Sequence, residues 1–190
     1  MDAPIRYTAP TVEPVTLAEV KTHLRINHSE EDSYLAMLIT VARTAAEDRT
    51  GRTMLETTWQ YTLDGFPDEI VLPNPPIISV THVKYKDSDN VLQTLSASDY
   101  VVDTASQPGR IVRAYGKDWP ATYDEINTVV VTYKAGYGTS AASVPAPLKQ
   151  WILLAIGDMY DQSRSLSSEK VLTPSKFVDS LIDPYRFIGL

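Results

Sequence analysis

At 190 residues the chain has room for one core, or for one core with a sizeable inserted module. Hydrophobic content of 43% and charged content of 22% belong to a folded chain rather than a disordered one. Its 17 Lys and Arg against 24 Asp and Glu leave a net charge of −7, which excludes a general phosphate-gripping face, and the absence of cysteine excludes disulfides, thiolate metal sites and a thiol nucleophile.

Met1 to Pro14 holds no apolar run flanked by basic residues, so neither a signal peptide nor a membrane span is expected there, and a cytoplasmic origin is. The first helical signal is Thr16-Leu17-Ala18-Glu19, a cap with an acidic residue three positions on, followed by an apolar stripe of Leu17, Val20 and Leu24 to about Ile26. A second cap is expected at Ser29-Glu30-Glu31-Asp32. From there Leu35, Leu38, Ile39, Ala42, Ala45 and Ala46 keep helical spacing until Gly51 supplies a stop.

After Gly51 the period changes to two. Leu55, Thr57, Trp59, Tyr61 and Leu63 alternate with polar neighbours, as in an antiparallel strand. Asp64-Gly65 and Pro73-Asn74-Pro75-Pro76 leave room for a short strand around Ile70 to Leu72. From Ile77 the parity of Ile78 and Val80 differs from that of Val83 and Tyr85, which predicts a bulge near Thr81 or His82. Asp87-Ser88-Asp89-Asn90 turns the chain, and strands are expected at 91–95, 100–103, 110–113 and 126–134.

Pro145 and Pro147 announce a last helix with a stripe of Leu148, Trp151, Ile152, Ala155 and Met159. Leu153, Leu154 and Ile156 lie off that stripe, and a helix apolar on several sides needs cover on several sides. That cover comes from its own fold or from a neighbouring subunit, for which Trp151, Leu154, Ile156 and Tyr160 are the expected contacts. Ser165 to Pro174 reads as a polar linker. Beyond it, eight of the fourteen residues from Phe177 to Leu190 are apolar, and each such side chain favours burial by roughly 1.5–3 kcal/mol. A short helix starting at Ser175 or Thr173, with Phe177, Leu181 and Ile182 on one face, should end at Asp183-Pro184. Tyr185, Arg186, Phe187, Ile188 and Leu190 then follow as anchors on a segment that reaches away from the body.

Candidate chemistry is thin. Asp158 with Asp161, and Asp64 with Asp68 and Glu69, are sequence neighbours on solvated faces rather than carboxylates held across a pocket. His23 and His28 are five apart, which does not place two imidazoles on one helical face, and His82 suits a half-exposed strand position. Gly136-Tyr137-Gly138-Thr139-Ser140-Ala141 matches a dinucleotide fingerprint, but it runs into Pro145 and Pro147 and no ribose-binding acid on a strand follows about 20 residues on. No catalytic residue, metal site or cofactor is expected. Among three tryptophans, Trp59 and Trp151 sit on apolar stripes, whereas Trp119 falls in a loop where exposure is expected.

Taken together, Pro14-Val15-Thr16-Leu17-Ala18-Glu19-Val20-Lys21-Thr22-His23-Leu24-Arg25, Leu35 through Thr50-Gly51-Arg52, Pro73 to Pro76, Tyr85-Lys86-Asp87, Trp119-Pro120, Tyr133 to Gly138 and Val144 to Lys149 give the chain a resemblance over nearly its whole length. It resembles the head-tail connector, or adaptor, family of long-tailed bacteriophages. The opening segment and Thr50-Gly51-Arg52 are the specific part. The resemblance implies an α+β fold, with a helical bundle from 1–52 plus 144–163, an antiparallel β insertion over 53–143, and a linker with a C-terminal docking segment over 164–190.

It further implies a non-enzymatic subunit of a homo-oligomeric ring, commonly of twelve. That ring sits beneath the portal in the virion, links the DNA-filled head to a neck, stopper or tail-completion protein, and is assembled in the host cytoplasm without a membrane. The C-terminal anchors would dock on the portal, the alternatives being a sister subunit and the chain's own core. The acidic balance agrees, since it suits a channel that DNA passes without sticking. The alternatives are another neck component, such as a stopper or tail-completion protein, and a β module that binds carbohydrate or protein.

Overall fold

A computed structural model describes residues 4–164 and 176–187. Eight strands and four α-helices run in the order β1 (Ile5–Thr8), α1 (Leu17–Leu24), α2 (Asp32–Thr50), β2 (Thr57–Leu63), β3 (Glu69–Leu72), β4 (Ile77–Lys86), β5 (Leu92–Thr94), β6 (Tyr100–Asp103), β7 (Gly109–Arg113), β8 (Val129–Ala135), α3 (Ala146–Arg164) and α4 (Lys176–Ser180). This is the expected α+β class. The chain forms two compact units, a β unit of Met1–Pro10 with Glu56–Tyr137 and a helical unit of Thr11–Leu55 with Gly138–Leu190.

In the helical unit the Thr16 hydroxyl accepts from the Glu19 amide at 3.1 Å, and the Glu19 carboxylate accepts from the Thr16 amide at 2.6 Å. Two N–H groups that the first turn leaves without helical partners are thus satisfied. The same Thr16 amide, helped by the Thr16 hydroxyl and by Lys149, holds the Glu19 carboxyl below its ordinary range. α2 starts differently from the expected cap. Glu31 stands at its N-cap without a side-chain capping bond, and Ser29 offers its carbonyl to the Asp32 amide at 3.2 Å. Gly51 ends α2 in the left-handed conformation, φ 64°, a region open to glycine at little cost.

The core of this unit gathers Val15, Val20, Leu35, Leu38, Ile39, Met54, Leu148, Ile152 and Ile156, with Ala42 and Ala46 fully buried on α2. α3 buries Leu148, Trp151, Ile152, Ile156 and Tyr160, so the stripe is rotated from the expected one, in which Ala155 and Met159 held the last two places. A helix apolar on most sides does not fix its own phase; the neighbouring helices do.

The β unit contains two antiparallel sheets, β1-β2-β8-β4-β5 and β3-β7-β6. β2 buries Thr57, Trp59 and Tyr61 in alternation and pairs in full register with β8, from Thr57 opposite Ala135 to Leu63 opposite Val129. β4 slips register against β8 between Val80 and His82, where the parity change predicts a bulge, and again between Ile77 and Ser79. β1 is a departure: residues 1–52 were expected in the bundle, yet Ile5 and Arg6 pair with Gln60 and Trp59 on the sheet edge. Trp119 is a second departure. Its ring stacks on Phe66 at 4.9 Å and is half-buried against the β core rather than displayed, because burying an indole face recovers more than a loop position costs.

Candidate functional site

The C-terminal segment meets the helical unit at the carboxyl end of α2. The Phe187 amide donates to the Thr50 carbonyl at 2.6 Å, and the Arg52 Nε donates to the Tyr185 carbonyl at 2.6 Å. Arg49 forms an ion pair with Asp179, and its guanidinium carbon lies 5.5 Å from the centre of the Trp151 ring. Gly51 is the pivot of this seat, because a Cβ there would stand 3.0 Å from the Phe187 carbonyl oxygen. Ile182 is 2% exposed and closes the contact from below.

α4 ends at Ser180, ahead of the stop expected at Asp183-Pro184. These residues open a 3-10 turn, Asp183–Tyr185, with proline in its first turn where a missing N–H costs nothing. Nor do residues 176–187 reach away from the body, since α4 packs on α3 and Asp179, Tyr185 and Phe187 are bonded at the end of α2 in the same unit. A segment this rich in apolar side chains folds back wherever a helix end offers free carbonyls and an apolar floor. Ile182 is therefore covered by its own chain. Leu181, Tyr185 and Phe187 are half-buried and Arg186 is exposed. The Phe177 side chain, Ile188, Leu190, the Ser165 to Pro174 linker and the proposed starts at Thr173 and Ser175 lie outside the described residues.

Of the four expected subunit contacts on α3, three need correcting. Trp151, Ile156 and Tyr160 are buried within the helical unit itself. Tyr160 moreover donates its hydroxyl to Glu31 at 2.6 Å and packs on Tyr34. These side chains have no surface left to give a neighbour. Leu154 alone stays partly exposed.

Beneath the seat, α2 carries a buried charged cluster that periodicity does not reveal. Arg43 and Glu47 are each 5% exposed in their side chains and pair at 2.9 Å, one turn apart. Arg43 also donates to Glu13 at 2.7 Å, while the second Glu47 oxygen accepts from the Met54 amide at 3.0 Å. Glu47 thus ties α2 to the strand-bound chain that leaves it. The residues of the seat, Arg49 to Arg52, coincide with the Thr50-Gly51-Arg52 motif, which periodicity reads only as a helix stop.

Among the described residues there is no group of three or more side chains able to hold a metal ion, and no helix long and apolar enough to cross a membrane. The geometry holds chain against chain: capped helices, a buried ion pair and a terminal segment seated on a helix end. The family model for phage gp6-like head-tail connector proteins matches residues 14–108, and the chain belongs to that family. Its role is structural, that of a head-tail connector.

Three solved structures share the fold. A chain from the neck of an empty gene transfer agent (GTA) particle, computed with C6 symmetry, is 24% identical with a TM-score of 0.81. A chain from the virion of a native GTA particle is 22% identical, also at 0.81, and one from the neck of a native GTA particle computed with C12 symmetry is 22% identical at 0.75. Each likeness covers 100% of this chain and 97% of the other. No curated protein matches the sequence.

Proposed function

We propose that this connector forms a homo-oligomeric ring of twelve subunits at the head-tail interface of a virion. The ring sits under the portal, is assembled in the host cytoplasm, and joins the DNA-filled head to the stopper, neck or tail-completion protein that follows. Its role is positional and calls on no catalysis or cofactor. The ring number takes its support from the fold shared with a particle neck of C12 symmetry. The −7 charge suits a channel through which DNA slides without binding.

The observation that carries the reading is the seated C-terminal segment. Ile182, the main-chain bond from Phe187 to Thr50 and the Arg52 side chain's bond to the Tyr185 carbonyl fix it in place, while Leu181, Tyr185 and Phe187 keep part of their surface and Arg186 is exposed. Aromatic and arginine side chains presented on a fixed backbone are the usual anchors of an interface, and the portal is the partner assigned to them together with Phe177, Ile188 and Leu190. Leu154 is assigned to the neighbouring subunit.

The test is co-sedimentation with portal-containing heads. Deleting 176–190 should abolish it, but the deletion also removes buried Ile182. A second variant, Tyr185→Ala with Arg186→Glu, leaves Ile182 in place and should weaken head binding at unchanged melting temperature. Head binding that survives both changes would sink the docking role.

A further inference from the structure

The β unit bears an apolar patch that neither the family membership nor the C-terminal segment uses. It centres on Lys86, the last residue of β4. On one side Lys86 pairs across the strands with Leu92 of β5. On the other, its amide donates to the Thr128 carbonyl at 2.9 Å and its carbonyl accepts from the Tyr123 amide at 3.0 Å. Leu92 and the 123–126 loop therefore flank one residue, within about 10 Å, two strand spacings. Leu92 is 63% exposed, Ile126 69% and Tyr123 38%, and Val91 beside them is exposed as well.

Such side chains on a floppy loop would mean little, but both loops are pinned. The Asp87 carboxylate accepts from the amides of Asp89 and Val91 and from the Gln93 side chain at 2.8–3.1 Å, and those bonds hold it ionised below the ordinary carboxylate range. At the other side the Asn127 amide donates to the Asp64 carboxylate at 2.9 Å, and the Thr128 hydroxyl donates to the Asp64 carbonyl. The apolar groups are thus displayed by a preorganised surface, which spares a partner the cost of ordering it.

The rim tells what kind of partner fits. Asp87 and Asp89 precede Val91 and Leu92 in the chain, Asp124 and Glu125 lie between Tyr123 and Ile126, and against these four stand Lys84 and Lys86 of β4, with Lys86 already paired with Glu125 at 3.0 Å. The balance is acidic. Two copies meeting patch to patch would set carboxylates against carboxylates, and DNA would be repelled. An apolar centre with an acidic rim is complementary to an apolar centre with a Lys or Arg rim.

We propose that this patch is the docking face for the next neck or tail component, a different protein that meets it with an apolar centre and a basic rim. The proposal rests on the connector reading above and assigns it a second, tailward surface.

The experiment starts from tail-less heads bearing the full-length chain, adds purified tails of the same particle, and counts joined particles by negative-stain microscopy. Leu92→Asp with Ile126→Asp should cut joining at least tenfold while the amount of connector on the heads and its melting temperature stay unchanged. Asp124→Lys with Glu125→Lys should also cut joining, and more so at low salt than at high. Normal joining by both variants overturns the proposal. So does loss of the variant chains from the heads, which would place the patch against the portal or a sister subunit. A wild-type chain absent from the heads would instead overturn the connector placement itself.

Discussion

The Phe187 amide and the Thr50 carbonyl, 137 positions apart in sequence, share a hydrogen bond of 2.6 Å that fastens the C-terminal segment to the end of α2. Next to it, Arg52 holds the Tyr185 carbonyl at the same distance. Removing the guanidinium with Arg52→Ala should release about 1.5 kcal/mol of local stability, the size of a hydrogen bond to a charged donor. Amides 182–187 should then exchange with deuterium about tenfold faster. Exchange in β2 and β8, which lie in the other unit, should not change.

A larger effect is expected from the Arg43–Glu47 pair. Both side chains are nearly dry, and cutting Glu47 away leaves Arg43 with the partly exposed Glu13 as its partner and the Met54 amide without its acceptor. Glu47→Ala should cost about 3 kcal/mol in chemical denaturation, more than an exposed pair such as Arg113–Asp118 could supply. Arg43→Met with Glu47→Leu should recover much of that loss, because apolar replacements of similar size leave no charge in the dry interior, and Glu13, which loses Arg43, is partly exposed to water. The Met54 amide, which bonds Glu47 at 3.0 Å, limits the recovery.

Much of this architecture is legible in the residue pattern because the deciding forces are local. The Thr16 and Glu19 box, the Gly51 stop and the parity change in β4 are each set within a few residues. What the pattern does not hold depends on distant partners. Ile5–Thr8 is too short to declare itself, and its strand exists because β2, some fifty residues on, offers an edge. Trp119 lies in a loop by sequence but finds the Phe66 ring by tertiary packing. On α3 the choice between Ala155 and Ile156, or Met159 and Tyr160, is made by α1 and α2. The seat of the C-terminal segment is hidden for the same reason: Arg49 to Arg52 look like a helix end until Asp179, Tyr185 and Phe187 arrive from the far end of the chain.

Asp103 gives the fold a pH signature. The Ser106 hydroxyl at 2.7 Å and the Ser106 amide at 3.1 Å, with Arg110 and the Ala105 amide, hold its carboxyl down to about 2. A carboxylate whose folded value is depressed stabilises fully above its unfolded value, near 4, and loses that contribution as pH falls toward 2. Asp103→Asn should therefore be less stable than the native chain at neutral pH. The gap should narrow between about pH 4 and pH 2 and vanish below. Carbon-detected titration of the Asp103 carboxyl should show its midpoint near 2, and a midpoint near 4 would mean that these bonds do not persist in solution.

Where the two sheets of the β unit approach, Gly109 of β7 faces Ile77 of β4. A Cβ on Gly109 would lie 2.6 Å from the Ile77 Cγ1, closer than real contacts allow, and at a tight 3.1 Å from the Asp103 carbonyl oxygen. The glycine is there for space, and Ile77 is buried against it. Gly109→Ala should destabilise the protein by about 1–3 kcal/mol through overpacking. Ile77→Ala alone should cost about 2–5 kcal/mol through the cavity it leaves. The two changes share one volume, so the double variant should be less damaged than the sum, with a coupling of at least about 0.5 kcal/mol in a double-mutant cycle. Strict additivity would place the strain of Gly109→Ala on the Asp103 carbonyl instead, and repacking at Ile77 would then bring no relief.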